Sequence, residues 1–324
     1  MKKILLTLSA AALVLASCAK IETVKVDENR AISFSSFTEH STKSVTELSG
    51  DLNASDIYVI GYYGTTGGTS LLTDGIFFNE LGNTPYYWED GNDYIFAAYA
   101  NGRGGKIDNA TFTDNSTLTF DSYAPADDND LVVAISEKIT NVTASTQGEV
   151  SLTMKHMLAQ VGFTFKTEVG DGYTLKIEHI RIENAIQTAK GTYNKTDGVI
   201  WAGTATGESV ASYEYSDIAD LVKVANKTNQ EFKLVIPQSV ENTIKVKFTA
   251  TINGVGIEEG GNNTKNFEVV LPAPAETEKQ WKPGYRYNYT TTINGENISE
   301  DNNPILFTVT ADGWSDYGGQ DLVF

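Results

Sequence analysis

The sequence predicts an all-β protein made of β-sandwiches, and three observations lead to this prediction. Short segments that alternate apolar and polar residues recur along the chain, bounded by Gly, Asn and Asp. These segments follow one another at spacings of about 8–12 residues, as strands do in sandwich folds. Glycines outnumber prolines, 28 to 7, and charged residues make up 20% of the chain, which is typical of a β-protein with many polar turns.

The predicted strands begin with AISFSSF, in which Ile32 and Phe34 share one face and serines occupy the other. The segment 56–63 (DIYVIGYY) predicts a buried strand, and Asp90–Asp93 predicts the turn of a hairpin between PYYWED and NDYIFAAYA. Further strands are predicted in EVSLTMKHMLAQVGFTFK, YTLKIEHIRIENA, EFKLVIP, TIKVKFTATING, KNFEVVLP, YRYNYTTTI and ILFTVTADGW. One helix is predicted, over residues 210–225.

The first residues predict export and a lipid anchor. Lys2 and Lys3 precede an apolar run of about thirteen residues, which is too short to span a bilayer but suits a signal peptide. The run ends in Leu-Ala-Ser-Cys, which matches the bacterial lipobox, so we expect the chain's single cysteine, Cys18, to carry the lipid. Ala19 follows it, and we expect an outer-membrane lipoprotein at the cell surface whose folded part stays in water.

The composition predicts the division of the chain and excludes several functions. We expect a signal peptide at 1–17, a polar tether at 18–30, an N-terminal sandwich at 31–149 and a C-terminal sandwich at 150–324. The formal net charge of −18 and the absence of a basic block argue against nucleic acid as a partner. One cysteine excludes an internal disulfide bond and a Cys-rich metal site.

The candidate catalytic and metal-binding residues predict no enzyme, cofactor or metal site. The three histidines, His40, His156 and His179, lie outside any nucleophile-elbow motif, and no nucleotide-binding motif is present. A glycosidase stays open as an alternative, because its two carboxylates are recognised by their separation in space, about 5–9.5 Å. The acidic clusters are interpreted as solvated turns, since neither fits a calcium loop: Glu89, Asp90, Asp93 and Asp127, Asp128, Asp130.

The tryptophans support an alternative function. Each of the four lies beside a predicted strand, where packing in the core or at its rim is the favoured role: Trp88, Trp201, Trp281 and Trp314. If Trp88 and Trp201 instead lined a groove as exposed, coplanar rings, they would indicate a glycan-binding surface lipoprotein of a polysaccharide-uptake system.

Four features together resemble the fimbrillin family, the type V pilins and pilin-like lipoproteins of Bacteroidales. They are the lipobox at Cys18; the Ile-Ser-Phe opening at 32–34 followed by DIYVIGYYG; the blocks YIFAAYA and MKHMLAQVGFTF, with His156, Ala159, Val161 and Phe163; and the closing pair WKPGYRYNYTTTINGENI and FTVTADGW. The resemblance covers nearly all of the mature chain, and its order and spacing are more specific than any single motif.

The resemblance implies two tandem transthyretin-like sandwiches and assembly by donor-strand exchange. Excision of the first strand, residues 31–37 with Ile32 and Phe34 facing the groove, would let another pilin subunit insert a strand. The implied role is a fimbrial subunit that contributes to adhesion to a host or bacterial surface through a glycan or protein. Because the chain ends about ten residues after Trp314, a tip, anchor or accessory position is expected rather than the main stalk.

The processing site departs from the family pattern, which cleaves after an arginine between the first two strands. That interval contains Lys43 but no arginine, and Arg30 lies before the first strand. Both residues are kept as possible processing sites: cleavage at Arg30 would release the lipid and retain the strand, whereas cleavage at Lys43 would remove both. The alternative is that both are ordinary solvated charges.

Overall fold

The structure is a computed structural model that describes residues 30–38, 57–66, 76–77, 86–127, 129–143, 148–203, 211–223, 231–241, 243–254, 256, 263–300, 303–313 and 322–323. Strands dominate this part of the chain, which confirms the prediction of an all-β sandwich fold. The strands are β1 (Ser33–Thr38), β2 (Ile57–Thr65), β3 (Ile76–Phe77), β4 (Asn92–Asn101), β5 (Ala110–Thr113), β6 (Thr117–Tyr123), β7 (Leu131–Ile135), β8 (Glu149–His156), β9 (Ala159–Thr167), β10 (Tyr173–Glu183), β11 (Ala189–Asn194), β12 (Gly198–Ala202), β13 (Ala211–Glu214), β14 (Ile218–Leu221), β15 (Phe232–Val235), β16 (Gln238–Ser239), β17 (Lys245–Gly254), β18 (Thr264–Val270), β19 (Gln280–Trp281), β20 (Tyr285–Ile293), β21 (Thr308–Gly313) and β22 (Leu322–Val323).

Two kinds of short helix interrupt the strands. A single α-helical turn, α1 (Gly295–Ser299), lies between β20 and β21 in the described part of the chain. Asn294 caps it by accepting a hydrogen bond from the backbone N–H of Asn297, whose side chain accepts one from the N–H of Asn294. Short 3₁₀ turns occur at Gly102–Gly104 and Ala275–Thr277.

A seven-stranded sheet combines six strands from the first half of the chain with β22, in the order β22-β1-β8-β7-β4-β2-β3. Strand β4 lies inside this sheet between β7 and β2, and all of its residues after Asn92 are buried. Its Phe96 and Ala98 pack in one cluster with Phe34, whereas its Tyr99 packs in a second cluster on the opposite face. Both faces of β4 are therefore covered, which explains why YIFAAYA reads as a continuous apolar run rather than an alternating one.

The two faces of β2, β4 and β7 are covered by different strands. Strand β8 pairs with β7 through two residue pairs only, and its Val150, Leu152 and Met154 belong to the same core cluster as Phe96. Strands β1 and β8 therefore fold across one face of β2, β4 and β7. The other face is covered by a four-stranded sheet of order β12-β11-β6-β5, whose Leu118 is fully buried.

A two-layer sandwich occupies the second half of the chain. One layer has the order β15-β9-β20-β21, and the other has β13-β10-β17-β18 with β14 also on β10. Their facing side chains form the largest hydrophobic cluster of the described residues. Aromatic pairs fill its centre, with ring centroids 5.0 Å apart for Phe163 and Tyr215 and for Phe165 and Phe248.

Strand pairings cross the predicted division at residues 149–150. Strand β8 begins at the division and extends seven residues beyond it, and it pairs with β1 and β7, which precede it. The hairpin of β11 and β12 also follows it, yet β11 pairs with β6. Trp201 of this hairpin donates from Nε1 to the carbonyl oxygen of Met157, at 2.7 Å, between β8 and β9. The assignment of 31–149 and 150–324 as separate sandwiches stays a prediction.

Two local predictions were wrong. The helix predicted over residues 210–225 is replaced by β13 and β14, which both pair with β10, so the free edge of a neighbouring strand outweighs local helix propensity. The predicted hairpin at Asp90–Asp93 has its turn, but the segment before the turn pairs with the residues that lead into β1: Tyr87 bridges Ala31. Strand β4 pairs instead with β2 and β7.

Within the residues that the structure describes, no helix combines the length and the apolar character needed to cross a lipid bilayer. The predicted signal peptide lies outside those residues.

Candidate functional site

The first strand lies between a partner from the middle of the chain and a partner from its end. It pairs with β8 in parallel through six residue pairs, from Ser33–Glu149 to Thr38–Met154. On its other edge it pairs antiparallel with β22, through Ser35–Val323 and Ser36–Leu322. Strand β1 therefore contributes main-chain hydrogen-bonding groups to two strands that are far from it in sequence.

The two groove residues predicted from the sequence point into one apolar cluster. Phe34 is 5% exposed, and its ring meets that of Phe96 edge to face with centroids 5.1 Å apart. Ile32 is half-buried against the same cluster. The cluster is lined by aromatic and aliphatic side chains of β2, β4, β8 and the segment before β4, among them Ile57, Val59, Trp88, Leu152 and Met154.

Arg30, one of the two predicted processing sites, is held against the fold. Its Nη2 lies 2.6 Å from Oδ1 of Asp90 and also donates to the carbonyl oxygen of Thr143 at 3.3 Å. Its own carbonyl oxygen accepts a hydrogen bond from the N–H of Trp88 at 3.0 Å. Cys18 and Lys43 lie outside the described residues, as do His40, Asp128 and Trp314.

The acidic residue at the start of β4, Asp93, binds protein groups. Asp93 is almost fully buried and its carboxylate accepts from the N–H of Asn141 at 2.8 Å and from Oγ1 of Thr66 at 2.9 Å. Lys138 Nζ lies 2.9 Å from its second oxygen. The hydrogen bond from Asn141 and the contact with Lys138 lower the pKa of Asp93 from 3.8 to about 2, against the opposing effect of burial. Asp93 thus ties the end of β2 and the segment after β7 to β4.

Replacement of Asp93 by asparagine is expected to reduce stability and to flatten its dependence on acid pH. The folded-state pKa is depressed, so the contribution of Asp93 is present above its unfolded value near 4 and is lost as the pH falls towards 2. Thermal unfolding midpoints measured from pH 2 to pH 6 should rise more steeply for the wild type than for Asp93→Asn between pH 2 and pH 4. Equal slopes for the two proteins would contradict this role.

The second acidic cluster is also engaged by neighbouring side chains. Asp127 Oδ2 lies 2.6 Å from Nζ of Lys233, and Asp130 Oδ2 lies 2.9 Å from Nδ1 of the buried His156.

The histidine of β10 also has a structural role. The backbone N–H of His179 donates to Asp217 at a bulge of β10, where the φ of His179 is 54°. Across the described ranges, His, Cys, Asp and Glu form no group of three or more that could hold a metal ion.

Trp88 and Trp281 are buried in the core, and Trp88 and Trp201 do not form the exposed, coplanar platform that the glycan-binding alternative requires. Trp88 is 4% exposed, with its ring edge to face against Tyr94, and Trp281 is fully buried. Trp201 is half-buried with its indole N–H bound to Met157. Trp88 is therefore unavailable for stacking on a sugar, because it fills the core beneath the first strand.

Comparison with known proteins assigns the chain to a family. Residues 23–314 match the model of the fimbrillin-like family, so the protein belongs to the fimbrillin-like family. No curated protein sequence gives a significant match.

Solved structures of low sequence identity align with most of the chain, and the first of those given below, with a TM-score above 0.5, shares its fold. A candidate cell adhesion protein from Parabacteroides distasonis is 13% identical, with a TM-score of 0.52 over 90% of this chain and 99% of its own. A candidate cell adhesion protein from Bacteroides uniformis is 18% identical, with a TM-score of 0.43 over 89% and 99%. The tip fimbrial protein Mfa3 from Porphyromonas gingivalis is 13% identical, with a TM-score of 0.39 over 87% and 100%.

Proposed function

We propose that this protein is a fimbrial subunit that is exported as a lipoprotein, anchored through Cys18, and joined to other subunits by exchange of its first strand. A tip, anchor or accessory position is proposed in preference to the main stalk, with a contribution to cell adhesion. The single observation that carries the proposal is the placement of β1, whose Phe34 fills an apolar cluster while its backbone pairs with β8.

Excision of β1 would leave a site suited to another strand. The N–H and C=O groups of β8 that β1 now engages would lose their partners, and the cluster around Phe96 would be opened to solvent. Unpaired strand edges beside an apolar groove bind extended segments by main-chain hydrogen bonds, with selectivity set by alternate side chains. A strand with large apolar residues two positions apart, as in Ile32 and Phe34, fits this groove.

The geometry of β1 and β22 also supports assembly into an open polymer. Strand β22 has β1 as its only pairing partner among the described strands. Excision of β1 would therefore free this C-terminal strand in the same event that opens the groove. A donor at one end of a subunit and an acceptor elsewhere produce a heterologous contact, which builds filaments rather than closed rings.

The proposal treats the protein as a structural subunit rather than an enzyme. Its acidic residues near the first strand are paired with Arg30, Lys138 and backbone groups, which is what a structural role requires. The same proposal places the protein at the cell surface, on the outer membrane, with other subunits as partners.

Strand exchange is tested with the full mature chain carrying a specific protease site between β1 and β2. After cleavage, a fluorescent peptide of residues 31–38 should replace β1 and remain bound during size-exclusion chromatography. A peptide with Phe34→Asp is the matched control and should not bind, because it places a charge in the apolar cluster. Equal binding of the two peptides, or no binding of the unaltered peptide, would refute exchange at this site.

A further inference from the structure

Arg30 lies three residues before β1, which begins at Ser33. Hydrolysis after it would add water across the Arg30–Ala31 peptide bond, leaving a carboxylate on Arg30 and an amino group on Ala31. That cut would separate residues 18–30 from a subunit that retains β1, whereas a cut at Lys43 would detach β1 itself. The functional meaning of this difference rests on the lipid anchor of the proposed function.

The side chain of Arg30 is occupied by contacts within the fold. It is 17% exposed, and Nη2 binds the carboxylate of Asp90 and the carbonyl oxygen of Thr143. A protease that cuts after basic residues must take this side chain into its own specificity pocket. The guanidinium group cannot lie in that pocket and against Asp90 at the same time.

The backbone on both sides of the Arg30–Ala31 bond is also paired. The carbonyl oxygen of Arg30 accepts from the N–H of Trp88 at 3.0 Å, and the N–H of Ile32 donates to the carbonyl oxygen of Tyr86 at 2.8 Å. Ala31 bridges Tyr87 between them. Proteolysis requires the carbonyl oxygen of the cleaved bond to reach the oxyanion hole, so these pairs must open first.

Asp90 lies in a turn whose backbone is hydrogen-bonded to Val142. Gly91 N–H donates to the carbonyl oxygen of Val142 at 2.8 Å, and Val142 N–H donates to that of Asn92 at 3.0 Å. Gly91 has φ of +79°, a conformation that favours glycine and allows the tight turn. The carboxylate of Asp90 is therefore held in place for Arg30 by contacts that do not involve Arg30.

We infer that Arg30, Asp90 and the backbone pairs 30–88 and 32–86 form a clasp that protects the Arg30–Ala31 bond from proteases that cleave after arginine. Release of residues 18–30 is then controlled by opening of the clasp. Because the side chain of Asp90 is 58% exposed, its ion pair with Arg30 is weakened by salt, and release should be faster at high ionic strength.

The test is digestion of the full mature chain with an arginine-specific protease. The chain has four arginines, and the other three lie in the turn Gly102–Gly104, in β10 and in β20: Arg103, Arg181 and Arg286. Mass spectrometry follows the product that begins at Ala31. Loss of this exposed ion pair in Asp90→Asn should accelerate its appearance about two- to fivefold.

Asp121→Asn is the matched control. Asp121 is 55% exposed and pairs with Lys190 at 3.1 Å, so this variant removes an equivalent carboxylate far from Arg30 along the chain. Its rate of cleavage at Arg30 should equal that of the wild type. The inference is overturned if Asp90→Asn is cut at the wild-type rate, if Asp121→Asn accelerates as much, or if cleavage after Arg181 and Arg286 rises in parallel, which would indicate general unfolding.

Failure of the clasp and failure of the lipid anchor give different results. The clasp is judged by the digestion rates, which do not depend on acylation. The anchor is judged by the intact mass of the membrane-bound protein, which should begin at an acylated Cys18. An unmodified N-terminus would refute the anchor and leave the protease result unchanged.

Discussion

Replacement of Phe34 by alanine is expected to lower the free energy of unfolding by about 3–5 kcal/mol, the usual cost of removing a buried aromatic ring. The ring is 5% exposed and contacts Phe96 in a cluster formed by β1, β2, β4 and β8. Strand β1 has few other large apolar side chains, so its attachment should weaken more than the rest of the fold. Urea unfolding gives the free energy, and hydrogen exchange of the β1 amides gives the local effect.

Ser33→Ala is the control for this prediction. Ser33 lies next to Phe34 on the same strand, pairs with Glu149 and lies outside the buried core. Its replacement keeps the backbone pairing and should change stability by less than about 0.5 kcal/mol. A comparable loss in both variants, or protection of β1 that is unchanged in Phe34→Ala, would show that this ring does not hold the strand.

Leu118→Ala and Phe248→Ala are each expected to cost about 2–5 kcal/mol and to lower one common unfolding transition. Leu118 is fully buried in the first half of the chain and lies opposite Tyr193 of β11. Phe248 packs against Phe165 and Phe267 in the second sandwich. Because the β11–β12 hairpin joins the two halves, damage in one half should destabilise the other.

Differential scanning calorimetry distinguishes one cooperative unit from two. Leu306→Ala is the matched control for Leu118→Ala, since Leu306 is 77% exposed and loses the same atoms without opening a cavity. Its transition should stay at the wild-type temperature. Two resolved transitions, each lowered by only one of the core variants, would show instead that the sandwiches unfold independently.

The alternating pattern predicts strands well where one face is buried, and strand β10 shows why. Its buried residues are odd-numbered at first, Leu175 and Ile177, and then even-numbered, Ile180 and Ile182. The change occurs where the pairing register shifts between Glu178 and Arg181, at the bulge that contains His179. The sequence contained this change of parity, and the bulge supplies its physical cause.

The segment 210–225 shows where local pattern fails. Its two strands are short, and each is defined by pairing with the same neighbour, β10, rather than by its own periodicity. Apolar residues spaced three or four apart suit a helix equally well when the strand partner is unknown. Tertiary context decides such segments, and one sequence does not contain it.

The shared face of Ile32 and Phe34 was predictable from the sequence, but the strands they pack and pair with were not. Alternation placed Ile32 and Phe34 on one face before any partner was known, and the structure brings both to one cluster. The partner β8 is more than a hundred residues away and runs parallel, so no turn specifies its register. The ion pair of Arg30 with Asp90 spans 60 residues, and nothing local to either residue signals it.

The return of the β11–β12 hairpin to the first half of the chain has a consequence for the order of folding. Strand β6 ends at Tyr123, but its partner β11 does not begin until Ala189. During synthesis or export from the N-terminus, one edge of β6 stays unpaired and the apolar face around Phe120 stays uncovered until this hairpin has formed. Such long-range pairing slows folding and exposes a strand edge, so we expect the early chain to depend on a chaperone until residue 202 has emerged.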